Sequence, residues 1–527
     1  MSNNQETNKL GNSRTDNSLK NSVVSISVQI VVILLSFIGR TVFIKQLNIE
    51  YLGVNGLFSN ILTLLSLAEL GIGTAITYMM YKPIADNDTE KIAALNNLYR
   101  QVYNWIGLFI LFAGILLTPF ISYLIKEAPK INEDIHIIFI LYLLNIAMSY
   151  FFTYKRSLLI AYQKEYINNK NVLQFTFLKE TLLIIILLTI GSYYVYLAVQ
   201  VLVTLLSNYA ISHKTNRLFP EFVHIKSAKV PKNEIRVIIK NTMAMVCNKI
   251  GSVIVSGTGN VFISYYVGIA IVGIYSNYVL ISTSACAIIV KAMDSVTASF
   301  GNLVATVKPS DVFTVFKKLY FINFILAFVI AVLFYSLVDP FISIWIGSDY
   351  YLDNLSVLLI TVNSIFLYQV RIPAQIVINT YGLFWQIKWK SIVEAILNIT
   401  MSFILTAWLG WGIHGILLSM LLSNIATNLW WEPYCGFKYG FRLPLRLYMK
   451  EFGKSLLLLI CALIIMHYSM QYIDANISDP FIVLISIFFI AIIVVIALLV
   501  VGYKDTAEYS FAMNMVRMLF NKIRINK

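Results

Sequence analysis

Residues 480–502 read PFIVLISIFFIAIIVVIALLVVG. No charge interrupts the run, and it exceeds the roughly 20 apolar residues a helix needs to cross a bilayer. Working outward, comparable runs fall at 22–46, 51–80, 101–125, 135–154, 172–191, 194–212, 241–266, 269–298, 317–338, 354–379, 390–409, 412–433 and 453–472. Composition agrees. The 527 residues are 58% hydrophobic and 13% charged, whereas soluble domains hold about 45–50% apolar and 25% charged residues. The expected fold is an all-α polytopic membrane protein of about 14 transmembrane helices.

The net charge of +14 would point to nucleic acid in a soluble chain. Here the basic residues sit in alternate loops. Lys155, Arg156, Lys164, Lys170, Lys214, Arg217 and the 226–240 cluster fall on one side, and only Lys126 and Lys130 on the other. The positive-inside rule then places both termini in the cytoplasm of a bacterial plasma membrane protein. The Asn-rich start, 1–21, reads as a disordered cytoplasmic tail without a cleavable signal. A basic linker at 213–240 separates an N-terminal six-helix lobe, 22–212, from a C-terminal one, 241–433. Two further helices at 434–502 and a basic tail at 503–527 complete the chain. That tail reads equally as an amphipathic surface helix or a solvated end.

An internal echo supports two lobes. Val42-Phe43-Ile44 precedes Gly56-Leu57-Phe58-Ser59-Asn60, and Val261-Phe262-Ile263 precedes Gly273-Ile274-Tyr275-Ser276-Asn277. Both blocks join an outward-going span to an inward-going one, so the repeats are parallel.

Ionisable residues inside spans are costly, and they mark interior or water-lined faces. Six stand out: Arg40, Glu69, Lys249, Lys291, Asp294 and Arg371. Four are basic, which suits an anionic cargo. A diphosphate matches the fork of Arg and the mobile point charge of Lys. Structural alternatives stand beside this reading. Lys291 and Asp294, three apart on one helix face, could neutralise each other. Arg40 could snorkel to the interface, and Arg371 could cap carbonyls freed near Pro373. Glu69 and Asp294 are candidates for charge pairing or for binding a coupling ion. Glu394 reads as interfacial, and Glu180 as too near the inner boundary to join the group. Asn55, Asn60, Asn248 and Asn277 are candidate contacts for sugar hydroxyls, or interhelical hydrogen-bond partners. Gly53, Gly56, Gly71 and Gly73 read as sites of close helix approach.

Enzyme readings find little support. No G-x-x-x-x-G-K-[ST] phosphate loop is present. The four cysteines form no C-x-x-C pair, and the five histidines form no H-E-x-x-H pattern. No outside loop is long enough for a catalytic domain.

Residues Gly39–Pro83, especially YLGVNGLF at 51–58 and LAELGIGTA at 67–75, resemble the polysaccharide transporters. These are the Wzx-like lipid-linked oligosaccharide flippases of the multidrug/oligosaccharidyl-lipid/polysaccharide exporter superfamily. The resemblance implies two six-helix bundles in a V around a central cavity, with two extra helices, working by alternating access. It implies a cargo of undecaprenyl-diphosphate-linked oligosaccharide repeat units for capsule, exopolysaccharide or surface glycan, and glycan polymerase and assembly proteins as partners. No cofactor is expected, and a proton or sodium gradient would drive transport. A cation-coupled multidrug exporter of the same superfamily is the alternative, and a polytopic glycan-assembly enzyme a more distant one.

Overall fold

The computed structural model describes residues 27–69, 72–162, 164–224, 230–231, 235, 251, 253–255 and 257–525. Every regular element among the described residues is helical. Among the described residues, twelve helices are long and apolar enough to cross a membrane. Two shorter apolar helices, Ile49–Leu65 and Val253–Val267, stand where the second and seventh spans are expected. Among the described residues, each apolar run read from the sequence therefore contains a helix, with 241–250 of the seventh run outside them. Their outer surfaces are apolar: Val501 is 82% exposed and Ile493 65%. Exposed apolar surface on this scale needs lipid around it.

The chain divides into two compact units, Met1–Gly273 and Ile274–Lys527. The expected linker at 213–240 is described in part: 213–218 complete helix Tyr193–Leu218, Glu221–His224 form a helical turn, and 225–229, 232–234 and 236–240 lie outside the described residues.

In the first unit, Ser27–Gln46 is followed by Ile49–Leu65, which Asn48 caps by accepting from the backbone N–H groups of Glu50 and Tyr51. The expected continuous span 51–80 is interrupted. Its α-helix ends at Leu65, a 3₁₀ turn covers Ser66–Glu69, and Ile72–Ala85 continues beyond. The polar Ser66 and Glu69 and the nearby Gly73 account for the break, because glycine weakens a helix and Glu69 turns to a hydroxyl partner; Leu70 and Gly71 lie outside the described residues. Thr89–Leu117, Ile135–Tyr150 with Thr153–Ala161, Glu165–Thr189 and Tyr193–Leu218 pack together as a bundle. Asp134 caps Ile135–Tyr150. Its bonds from the His136 and Ile137 backbone N–H groups outweigh the cost of burial and hold its carboxyl below the usual range.

Helix Ile49–Leu65 also meets the 251–273 segment closely. A side chain at Gly53 would collide with the Ile269 carbonyl, and a Cβ on Gly273 would stand 2.6 Å from the Ile49 carbonyl oxygen. Asn260 Nδ2 donates to the Gly56 carbonyl at 3.3 Å. Lipid tails are as apolar as leucine, so helices associate through such close packing rather than through hydrophobic drive. The contact is reciprocal: Ile49 and Gly53 stand to each other as Ile269 and Gly273 do. Gly53, rather than the Gly56 of the sequence echo, is therefore the structural counterpart of Gly273.

In the second unit, Pro309–Trp345 is central. It packs against Asn354–Tyr381, Arg446–Asn476 and Pro480–Tyr503 through the buried Phe324, Ala327, Phe328, Ala331 and Val332. The end of the chain is a helix, Ala507–Ile525. It is joined to Pro309–Trp345 by a Lys317–Glu508 ion pair at 3.3 Å and by Lys318 over the Phe511 ring.

Candidate functional site

Three spans of the second unit carry polar residues at helical spacing on otherwise apolar helices. They are Tyr368, Arg371 and Gln375; Lys390, Glu394 and Asn398; and Asn424, Asn428 and Glu432. Positions three and four apart share a face. The three stripes converge on one buried cluster. Lys390 Nζ donates to Asn428 Oδ1 at 2.6 Å and Glu432 Oε1 at 2.9 Å, and lies 3.6 Å from Glu394 Oε2. Asn428 Nδ2 and the Tyr368 hydroxyl both donate to Glu394 Oε1, at 2.6 and 3.3 Å. Arg371 Nε lies 3.8 Å from Glu432 Oε2, and its guanidinium covers the Tyr368 ring. With the Gln375 amide oxygen turned towards it, Arg371 also donates to Gln375 at 3.0–3.1 Å.

Two cations and two carboxylates make this cluster neutral. Glu394 is 1% exposed and Glu432 2%, so Glu394, read as interfacial from its sequence position, is enclosed by protein. Arg371 is held by a carboxylate and an amide rather than by helix carbonyls. Isolated charges at this depth would cost several kcal/mol each, and mutual pairing offsets that. Depth judged from the ends of the apolar runs concealed Lys390 and Glu432. The four-residue spacing of their polar neighbours was the available signal.

The first unit holds two smaller polar groups. Glu69, on its 3₁₀ turn, accepts from the Tyr103 hydroxyl at 2.7 Å. Tyr103 stacks on Tyr99 at 4.3 Å, and the Tyr150 ring lies tilted beside it at 6.0 Å. A side chain at Gly73 would strike both the Tyr99 and Tyr103 hydroxyls. Arg40 lies among Tyr142, Tyr193 and Tyr196, with no carboxylate in ion-pair range among the described residues. The Glu180 carboxylate sits against Gly39, beside the Arg40 turn.

The other candidates are distributed as follows. Lys291 and Asp294 are both exposed and form no ion pair with each other. Asn55 accepts from Ser59 at 3.3 Å. Asn60 is half-buried, and its carbonyl faces Gly257. Asn277 is fully buried, with neither amide atom hydrogen-bonded among the described residues. Lys249 and Asn248 lie outside the described residues. The second unit also has a half-open cavity of about 650 Å³, lined in part by Tyr335, Asp339, Asp353, His467, Gln471 and Asp474.

No protein-family model and no curated protein matches the sequence. Solved structures do match in fold. A multidrug resistance MATE family transporter of the MOP superfamily, in an inward-facing conformation, has a TM-score of 0.61 at 14% identity, over 79% of this chain and 98% of that one. The lipid II flippase MurJ, in its inward closed conformation, has a TM-score of 0.57 at 14% identity, over 92% of this chain and 99% of that one. A mutant of the Vibrio cholerae MATE transporter VcmN has a TM-score of 0.56 at 14% identity, over 82% of this chain and 99% of that one. The chain thus has the helical membrane fold shared by MATE transporters and MurJ.

Proposed function

We propose that this protein is a flippase. It moves undecaprenyl-diphosphate-linked oligosaccharide repeat units from the inner to the outer leaflet by alternating access, for capsule, exopolysaccharide or another surface glycan. The observation that carries the reading is coverage. The lipid II flippase fold accounts for 92% of the chain, whereas the matched MATE structures, nearly complete themselves, account for 79–84%. The part of this chain beyond the drug exporters' length is therefore largely matched by a lipid flippase.

The charges that remain unneutralised suit the same cargo. Arg371 is committed to the neutral cluster. Arg40 in the first unit and Lys291 in the second have no carboxylate partner among the described residues. They are the cations proposed to meet the diphosphate, together with Lys249. Asn55, Asn60, Asn248 and Asn277 are proposed contacts for sugar hydroxyls. A proton or sodium gradient is the proposed driving force, with Glu69 or Asp294 taking the ion.

The test is a deletion strain. Diphosphate-linked repeats should accumulate on the inner leaflet while surface glycan is lost, and the wild-type gene should restore export where Arg40→Gln with Lys291→Gln does not. Normal glycan with lost drug resistance would establish the multidrug exporter instead.

A further inference from the structure

We infer that the half-open cavity of the second unit binds a small polyamine, a flexible molecule with two or more ammonium groups. On the orientation read from the loop charges, the site faces away from the cytoplasm. It does not depend on the transport reading.

Three helices bring acids to this cavity. Asp339 comes from Pro309–Trp345, Asp474 from the last turn of Arg446–Asn476, and Asp353 from the cap of Asn354–Tyr381. Asp339 is within electrostatic reach of both other carboxylates. No lysine or arginine lines the space. The buried cluster around Lys390 is built differently, with two cations against two carboxylates. A helix C-terminus already carries partial negative charge, so Asp474 deepens the field instead of relieving it.

The three carboxylates are not equally engaged. Asp353 is the best satisfied, with bonds from His414 and Ser356. Asp339 accepts from the Tyr278 hydroxyl at 2.6 Å, and the Leu352 N–H fixes that hydroxyl at 2.9 Å. The other Asp339 oxygen is neither hydrogen-bonded nor sealed off among the described residues. Asp474 has no hydrogen bond or ion pair among them. His467 is occupied on both ring nitrogens, by the Tyr335 hydroxyl at 3.2 Å and the Gln471 amide at 3.1 Å. The wall thus offers free acceptors in a negative field and supplies no counter-charge of its own.

Acidity alone attracts any cation; the space selects among them. The volume of about 650 Å³ falls in the range of small-molecule pockets, about 300–1,000 Å³, and far exceeds a bare ion. The acids also do not converge. Among the described residues, no three His, Cys, Asp or Glu side chains can hold one metal ion. The ligand's positive charge must therefore be spread out, as the carboxylates are spread over the wall. Leu352, Val357, Ile477 and Val483 provide apolar wall for methylene links, and the rings of Tyr335 and Tyr351 attract ammonium groups.

Spermidine is the probe, titrated by calorimetry into the purified full-length chain in detergent at low ionic strength. Wild type should bind it saturably, and more tightly than magnesium at matched ionic strength. Asp339→Asn keeps an acceptor for Tyr278 but removes a charge, and should weaken binding about tenfold. Asp474→Asn, at an exposed position that leaves the fold alone, should weaken it about threefold. Asp349→Asn, exposed nearby but outside the lining, should leave it unchanged. Equal affinities for spermidine and magnesium would reduce the cavity to an acidic surface and overturn the proposal. So would the absence of spermidine binding to wild type, or wild-type binding by both Asp339→Asn and Asp474→Asn.

Discussion

Replacing Lys390 by Met tests whether the buried cluster of the second unit is a structural charge balance. Met keeps most of the side-chain stem, so packing changes little. What disappears is the ammonium that bonds Glu432 at 2.9 Å and Asn428 at 2.6 Å and lies 3.6 Å from Glu394. A hydrogen bond to a charged group contributes about 1.5–3 kcal/mol. Two carboxylates would then face one guanidinium, 3.8 Å from the nearer of them. Removing one member of a buried pair costs about 3–5 kcal/mol, much of it from the charge left behind. The expected loss is therefore about 3–5 kcal/mol, a large part of a typical unfolding free energy. Adding Glu432→Gln restores neutrality and should recover about 1–3 kcal/mol. Unfolding in detergent micelles, followed by tryptophan fluorescence, reads both effects; Trp430 and Trp431 adjoin Glu432. A loss below about 1 kcal/mol for Lys390→Met, or strict additivity in the double variant, would refute the reasoning.

Four further outcomes are expected. Gly53→Ala or Gly273→Ala forces a methyl group against a main-chain carbonyl and should destabilise the first unit by about 1–3 kcal/mol, read as a lower unfolding midpoint; unchanged midpoints would deny the close approach. Tyr103→Phe removes the donor to Glu69 and should cost about 1–3 kcal/mol, while Glu69→Gln, which still accepts that bond, should cost less; the reverse order would count against the assignment. Tyr278→Phe leaves Asp339 and the Leu352 N–H without their shared hydroxyl and should cost about 1–3 kcal/mol, visible as faster hydrogen exchange at Leu352. For Asp353, burial opposes ionisation, but bonds from His414 and Ser356 prevail and hold its carboxyl below the usual range. Its contribution is therefore complete above about pH 4 and lost as pH falls through the lower folded value; the stability gap between wild type and Asp353→Asn should close under acid, and a pH-independent gap would exclude the mechanism.

The spans were legible because lipid imposes a length and an apolar composition that few other constraints mimic. Arg371 was legible for the same reason, as a charge out of place. Its partners were not. Glu432 and Lys390 stand at the ends of apolar runs, and a boundary drawn there makes a buried residue look interfacial. The interruption at Ser66–Glu69 was concealed by an unbroken apolar pattern on either side. The repeat was visible, but its register was not, because Gly53 and Gly56 are equally good partners on paper. Only the reciprocal contact with Ile269 and Gly273 distinguishes them.

That contact has a mechanical consequence. Gly53 and Gly273 bring main chain against the Ile269 and Ile49 carbonyls, with the Cγ1 atoms of those two isoleucines alongside. Dispersion attraction falls by a quarter to a half over a gap of about 0.5–1 Å, so a slight parting forfeits much of the grip. Because the two halves of the contact mirror each other, neither can let go while the other holds. The helices are thus fastened by a clasp rather than a spring: seated or released, with little stable ground between.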